Sequence, residues 1–166
     1  MGMPSKLKHF AVFIDGGNFA GEITEVVLPK LTRKLEEYRA GGMRTPVKTD
    51  QGTEALEIEI TAGGWMKEVL KQWGKTDVPI RFAGAVQRDD TGEWSRVEVF
   101  VRGLWEEIDM GTAKSGEDTE FKAKASLKYY RLVWDDEDLI EIDALGLVEK
   151  IGGVDQLAQV RSILGI

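Results

Sequence analysis

Residues 54–62, EALEIEITA, alternate without a break: Leu56, Ile58 and Ile60 fall on one side of an extended chain, Glu57, Glu59 and Thr61 on the other. A period of two is the signature of a strand with one buried and one wet face. Residues 121–130, FKAKASLKYY, repeat it, with Phe121, Ala123, Ala125, Leu127 and Tyr129 opposing Lys122, Lys124, Ser126, Lys128 and Tyr130. A chain carrying several such segments has to build antiparallel sheet with one polar surface.

Turn residues punctuate the strands. Asp89-Asp90-Thr91-Gly92 separates VPIRFAGAVQ from EWSRVEVFVRGLWEEID, which predicts a hairpin with Val97, Val99 and Val101 on its apolar side. Asp15-Gly16-Gly17-Asn18 predicts another, opening the chain as a strand pair. DDEDLIEID reads as an acidic turn followed by a short strand.

Two segments have helical spacing instead. GWMKEVLKQWGK lines up Trp65, Met66, Val69, Leu70 and Trp73, predicting a helix packed over a sheet with both tryptophans in the core. VDQLAQVRSILG lines up Val154, Leu157, Val160, Ile163 and Leu164, predicting a short C-terminal helix. Residues 41–53 and 110–119, rich in Gly, Thr and charge, are expected to be long loops that contact something. Neither a repeat nor a linker divides residues 1–166, so one domain is expected.

Composition removes several function classes. With no cysteine, thiolate metal sites and nucleophiles are excluded, and the lone His9 has no catalytic partners in the sequence. A net charge of −7 opposes ordinary binding to a phosphate backbone. The charge is also uneven: residues 1–48 hold eight Lys/Arg and five Asp/Glu, the remainder fourteen and twenty-four, an asymmetry suited to head-to-tail contact between copies. No apolar run approaches the roughly 18 residues of a membrane span, and MGMPSKLKHF is too polar for a secretory signal, so folding in the cytoplasm without membrane insertion is expected.

Enzyme motifs fail on inspection. MGTAKSGEDT lacks the glycines of a phosphate loop, and the acidic run from Asp135 to Asp143 lacks calcium-loop spacing. Glu57 with Glu59, or Glu106 with Glu107, are carboxylate pairs of the kind glycosidases use, but charged residues alternating on an exposed strand face are far commoner than catalytic dyads. No catalytic, metal or cofactor site is expected. Polar-faced strands whose edges must be blunted or paired point instead to self-assembly.

LPKLTRKLEEYRAGGM, VPIRFAGAVQRDDTGE, RGLWEEIDMGTAKSGEDTEFK, YYRLVWDDEDLIEID and GVDQLAQVRSILG, in that order across the whole chain, resemble the major tail tube proteins of contractile-tailed bacteriophages, a family shared with R-type bacteriocin tubes. The resemblance implies a mainly β fold: an antiparallel sandwich or barrel with one packed helix, a short C-terminal helix and a long hairpin extension. Neighbouring subunits would join their strands into a closed lumenal β-barrel in a hexameric ring, and the rings would stack head to tail into the tail's inner tube. Implied partners are the sheath, the tape-measure protein inside the tube during assembly, the baseplate hub or tube initiator, and the tail terminator; DNA passes without specific binding. The implied location is the virion tail, with assembly in the host cytoplasm. A bacteriocin tube and a type VI secretion-like device are the alternatives.

Carried onto this chain, the resemblance makes LPKLTRKLEEYRAGGM extended despite its helical spacing of Leu28, Leu31, Leu35 and Tyr38, with Leu31 and Leu35 on the buried side. Glu57, Glu59 and Thr61 are expected to face the bore, whose acidity would let DNA slide, the competing role for the glutamates being ion pairs with Lys122, Lys124 or Lys128. Contacts with adjacent subunits or rings are expected from Leu31, Arg33, Tyr38, Arg39, Met43, Arg44, Lys48 and Asp50 in the hairpin, and from Lys114, Glu117 and Asp118 in the later loop.

Overall fold

The computed structural model describes residues 2–166. In chain order the strands are β1 (Ser5–Ile14), β2 (Gly17–Asn18), β3 (Ile23–Val27), β4 (Arg33–Tyr38), β5 (Val47–Thr53), β6 (Leu56–Ala62), β7 (Val78–Arg88), β8 (Trp94–Asp109), β9 (Phe121–Trp134), β10 (Glu137–Asp143), β11 (Val148–Ile151) and β12 (Val154–Asp155). Helix α1 (Lys67–Leu70) lies between β6 and β7, and α2 (Ala158–Leu164) follows β12. All pairings are antiparallel.

The long strands β8 and β9 organise the sheet. They pair from Val97 opposite Trp134 to Asp109 opposite Lys122, with register shifts at Arg102/Gly103 and Trp105/Glu107. Along its other edge β9 pairs first with β6 and then with β10. The sheet therefore has two halves, β3–β6–β9–β8 and β1–β7–β8–β9–β10–β11, hinged where the ladder slips. A bulge bends a strand and turns its side chains to the other face. Ile58, Ile60, Trp105, Phe121 and Ala123 from the first half and Val12, Ile80, Phe82, Val101 and Tyr130 from the second consequently share one core. The sheet does not close on itself: among the described residues it ends at β12, β2 and β3.

The same bulge corrects the expected faces of one dipeptide. Period two puts Tyr129 inside and Tyr130 outside, but Lys128 is the extra residue, so Tyr130 is buried and the Tyr129 hydroxyl donates to Glu141 Oε2 on the outer face at 2.8 Å. Burial and that carboxylate push the Tyr129 phenol up to about 12. The outer face of the second half carries a register-matched row, Phe13, Arg81, Phe100 and Arg131, one residue per strand. Arg81 lies 4.8 Å above the Phe13 ring, Arg131 5.2 Å above that of Phe100, and Arg81 pairs with the buried Glu98 at 2.8 Å.

Three other expectations change. The opening hairpin is vestigial: Asp15 and Gly16 adopt positive φ, but β2 covers only Phe13 and Ile14, and the chain leaves through a turn in which Glu22 N–H donates to the Phe19 carbonyl. β1 pairs instead with β7, where nine of its ten residues find a partner, and β3 pairs with β6. Helix α1 is a single turn, bounded by Gly63-Gly64 and by Gly74 at φ 86°. One turn can aim only Met66 and Val69 inward, so Trp65, Leu70 and Trp73 are exposed rather than core. Leu35 is exposed as well, because β4 and β5 form a separate two-stranded ribbon with nothing layered on its outer length, and Leu31, just before β4, is only partly covered at the ribbon's base.

Candidate assembly surfaces

Leu56, Ile58, Ile60 and Ala62 bury one face of β6, which forces Glu57, Glu59 and Thr61 onto the other, opposite Ser126, Lys124 and Lys122 of β9. Lys124 Nζ sits 3.2 Å from Glu57 and 3.5 Å from Glu106, and the hydrogen bond to Glu57, followed by its charge, holds the ammonium above its ordinary pKa. Lys122 pairs with Glu120 and Lys128 with Asp77. Of the three lysines weighed as partners for the β6 glutamates, then, Lys124 alone ion-pairs with one. Across the four-stranded face, Glu25, Glu57, Glu59, Glu106, Glu107 and Asp109 stand against Lys122 and Lys124, so it remains acidic.

That half of the sheet has two unpaired borders. Among the described residues β3 pairs with β6 alone, and β7 leaves β8 at Gly103, so residues 104–109 of β8 pair only with β9.

The β4–β5 ribbon is an arm. Its base, at Leu31, Thr32, Arg33 and Thr53, rests against Ile140, Ile142, Glu149 and Ile151 of β10 and β11. Arg33 anchors it, reaching Glu149 and, at 3.8 Å, Asp50. Beyond that point Leu35, Tyr38 and Val47 are exposed. The tip is shaped by its own polar groups: Gly42 takes φ 85°, Arg39 Nε donates to the Met43 carbonyl at 3.2 Å, and Ala40 N–H reaches Met43 Sδ at 3.2 Å. Arg44 and Lys48 are solvent-exposed.

Lys114, Glu117 and Asp118 belong to a different place, the loop leaving β8. There Lys114 pairs with Glu117 at 2.9 Å and Asp118 Oδ1 accepts from Thr119 N–H. The structure thus groups the expected contact residues into an arm on β10–β11 and a loop at the far end of β8, not into one site.

The sequence gives no sign of one surface: Trp65 and Trp73 flank α1 on the outside. In the C-terminal segment 154–166, a further expected contact between subunits or rings, α2 buries none of its residues. Instead α2 is tied to its own strand: Arg161 pairs with Asp155 and donates to the Leu147 carbonyl at 2.7 Å, and Gly165 at φ 75° closes the helix. The Arg161 hydrogen bond holds the Asp155 carboxyl below its ordinary range. A depressed folded pKa means that the tether is present above the unfolded value and is lost as pH falls through the folded one. Amide exchange in α2 is therefore expected to accelerate selectively on acidification below the usual aspartate range, with the β7–β8 amides still protected; uniform loss of protection would show that the tether plays no part.

Over residues 4–165 the chain matches the family of phage tail tube protein FII. The chain belongs to that family. It is 46% identical to the tail tube protein of Escherichia phage P2 over the full length of both, and 39% identical to the major tail tube protein of Serratia phage KSP20, covering 92% of this chain and 91% of that one. As a member of that family it is a tail tube protein, a structural component of a phage tail. Its fold is shared with a chain of the PVC sheath-tube complex, an extracellular contractile injection system in its extended state, at 12% identity, TM-score 0.60, and coverage of 79% of this chain and 90% of that one. A chain of the anti-feeding prophage baseplate aligns at TM-score 0.56 and 10% identity, over 80% of this chain and 97% of that one.

Proposed function

We propose that copies of this chain join edge to edge into hexameric rings that stack head to tail as the tail's inner tube, with the β3–β6–β9–β8 face lining the bore. The observation that carries this reading is the pair of unpaired borders on a half-sheet with an even number of strands. Successive strands in that half alternate in direction, so β3 of one copy set beside residues 104–109 of the next continues the antiparallel alternation around a ring. A closed barrel leaves no edge exposed, whereas an isolated copy leaves two.

The acidic face suits a conduit through which DNA is ejected into the host, because a surface that repels phosphate does not bind its cargo. The arm supports assembly independently. A two-stranded ribbon is marginal alone in water, and one that exposes Leu35, Tyr38 and Val47 gains most from a neighbour's surface. Arg33, Arg39, Met43, Arg44, Lys48 and Asp50 go with it, and the 110–119 loop with Lys114, Glu117 and Asp118 makes further contacts between subunits or rings. Solved relatives come from a sheath-tube complex, a sheath/tube terminator and a baseplate, which supports a sheath, a terminator and a baseplate hub as partners. A tape-measure protein would occupy the bore during assembly in the host cytoplasm. Purified protein examined by negative-stain electron microscopy at rising concentration is expected to form six-fold rings and then tubes; a species that stays monomeric throughout would overturn the reading.

A further inference from the structure

Trp65 and Trp73 are 56% and 63% exposed, yet neither is loose. The Trp65 indole N–H donates to the Met110 carbonyl at 2.9 Å and that of Trp73 to the Glu106 carbonyl at 3.4 Å. Their polar atoms are satisfied within the chain, so the rings are held beside the unpaired border of β8 with apolar surface turned to solvent. Leu70 and Met110 complete the patch, and Trp73, Leu70 and Met110 line a shallow groove of about 350 Å³ whose charged lining is Glu106 and Glu107. Glu106 shares Lys124, while Glu107 has no ion pair among the described residues. Fixed, desolvation-ready tryptophans are the commonest anchors of protein interfaces.

One part of this chain has the complementary character. From Tyr38 to Lys48 the arm tip contains Arg39, Arg44 and Lys48 and no carboxylate, with Tyr38, Met43 and Val47 supplying apolar surface. A chain's own tip is not placed to use its own groove. The arm stands on β10–β11, which join β9 along the same edge as β6 and β3, whereas the tryptophan patch lies at the opposite border, beyond β8. Head-to-tail contact brings those opposite flanks together.

We propose that the basic tip of the β4–β5 arm of one copy seats on the Trp65–Leu70–Trp73–Met110 patch of the adjacent copy, its arginines and lysine facing Glu106 and Glu107. The proposal rests on the ring reading and names the surface that receives the arm. Charge complementarity sets the orientation, and the rings supply the buried area.

The absence of native cysteine makes the test clean. Met43→Cys and Trp73→Cys are combined, tubes are assembled and mildly oxidised, and the products are separated without reductant. The double variant is expected to give a ladder of disulfide-linked subunits, and each single variant no more than a trace of dimer. Normal tubes that yield only monomer, or a monomer closed by an internal disulfide, would overturn the proposal. If unmodified protein forms no rings in the microscope, the ring reading itself has failed and the proposal falls with it. A second measurement covers the case in which the double variant does not assemble. Trp73→Ala is expected to raise the concentration at which tubes form by about tenfold or more while the melting temperature of the subunit holds; an unchanged threshold would contradict the seat.

Discussion

Replacing Gly103 by alanine is expected to destabilise the subunit by about 3 kcal/mol or more, the largest effect of any single methyl group in this chain. Gly103 stands where the β8–β9 ladder slips and the sheet bends, and a Cβ built there would lie 2.0 Å from the Ser126 carbonyl oxygen and 2.9 Å from Leu127 Cα. Both obstacles are backbone of the paired strand, so no rotamer change relieves the clash. The strands would have to separate at the hinge that lets Trp105 and Phe121 share a core with Val101 and Tyr130. Overpacking of this kind costs about 1–3 kcal/mol where side chains can adjust, and more where they cannot. Against a typical total of about 5–15 kcal/mol, such a loss removes a large share of the subunit's stability. Urea denaturation followed by circular dichroism measures it; a variant whose unfolding midpoint matches the parent's would show that the hinge is not fixed by this contact.

The second large effect concerns transport rather than stability. Glu57→Lys with Glu59→Lys changes each subunit by four charges on the proposed bore face; leaving aside Glu106 and Glu107, which the neighbour's arm faces, it turns four carboxylates against two lysines into two against four. Both side chains leave the buried face of β6 untouched, so rings should still form, although Lys124 loses the carboxylate it shares with Glu106. Repeated six times in every ring, the new lysines offer phosphate the contacts that a conduit must lack, and affinity rises steeply with each such contact. DNA ejection from otherwise intact particles is expected to slow by about an order of magnitude or more at physiological salt, with the rate partly restored as salt is raised and the phosphate contacts are screened. Unchanged ejection kinetics in particles carrying the double variant would sink the bore assignment for this face.

Strand alternation carried most of the fold into view because it depends only on the two-residue period. Leu56, Ile58 and Ile60 are buried as that period requires, and the Asp89–Gly92 and Asp135–Asp136 turns lie between the strands they were expected to separate. What the period cannot carry is an added residue. Lys128 looks like any other lysine in FKAKASLKYY, yet it is the bulge that exchanges Tyr129 and Tyr130 and hinges the whole sheet. Partner choice was equally hidden. The turn chemistry at Asp15–Gly16 is real, but a turn does not decide how far two strands stay together, and β7 offers β1 a much longer ladder.

The arm was legible as extended chain where resemblance replaced local propensity. LPKLTRKLEEYRAGGM has helical spacing, and its Arg33–Tyr38 segment is nevertheless strand β4, since propensity is weak beside tertiary context. Resemblance does not reach as far as side-chain burial: it puts Leu31 and Leu35 on the buried side of that strand, and in an arm without a covering layer they are exposed. Trp65 and Trp73 differ from expectation for another reason. Five apolar residues at helical spacing cannot all face inward from a helix one turn long, and the flanking glycines were the available sign of its shortness. The cation–π row Phe13–Arg81–Phe100–Arg131 had no signal in sequence, since it exists only through the register of four strands.

In the proposed ring the four-stranded half-sheet turns its acidic face to a bore closed edge to edge. Cryo-electron microscopy of tubes reconstituted from this chain shows whether it does. The expected map has six subunits per ring, β3 beside residues 104–109 of the neighbouring β8, and Glu57 and Glu59 projecting into the channel. A map in which β6 faces the tube exterior, or in which those two strand borders do not meet, would contradict it.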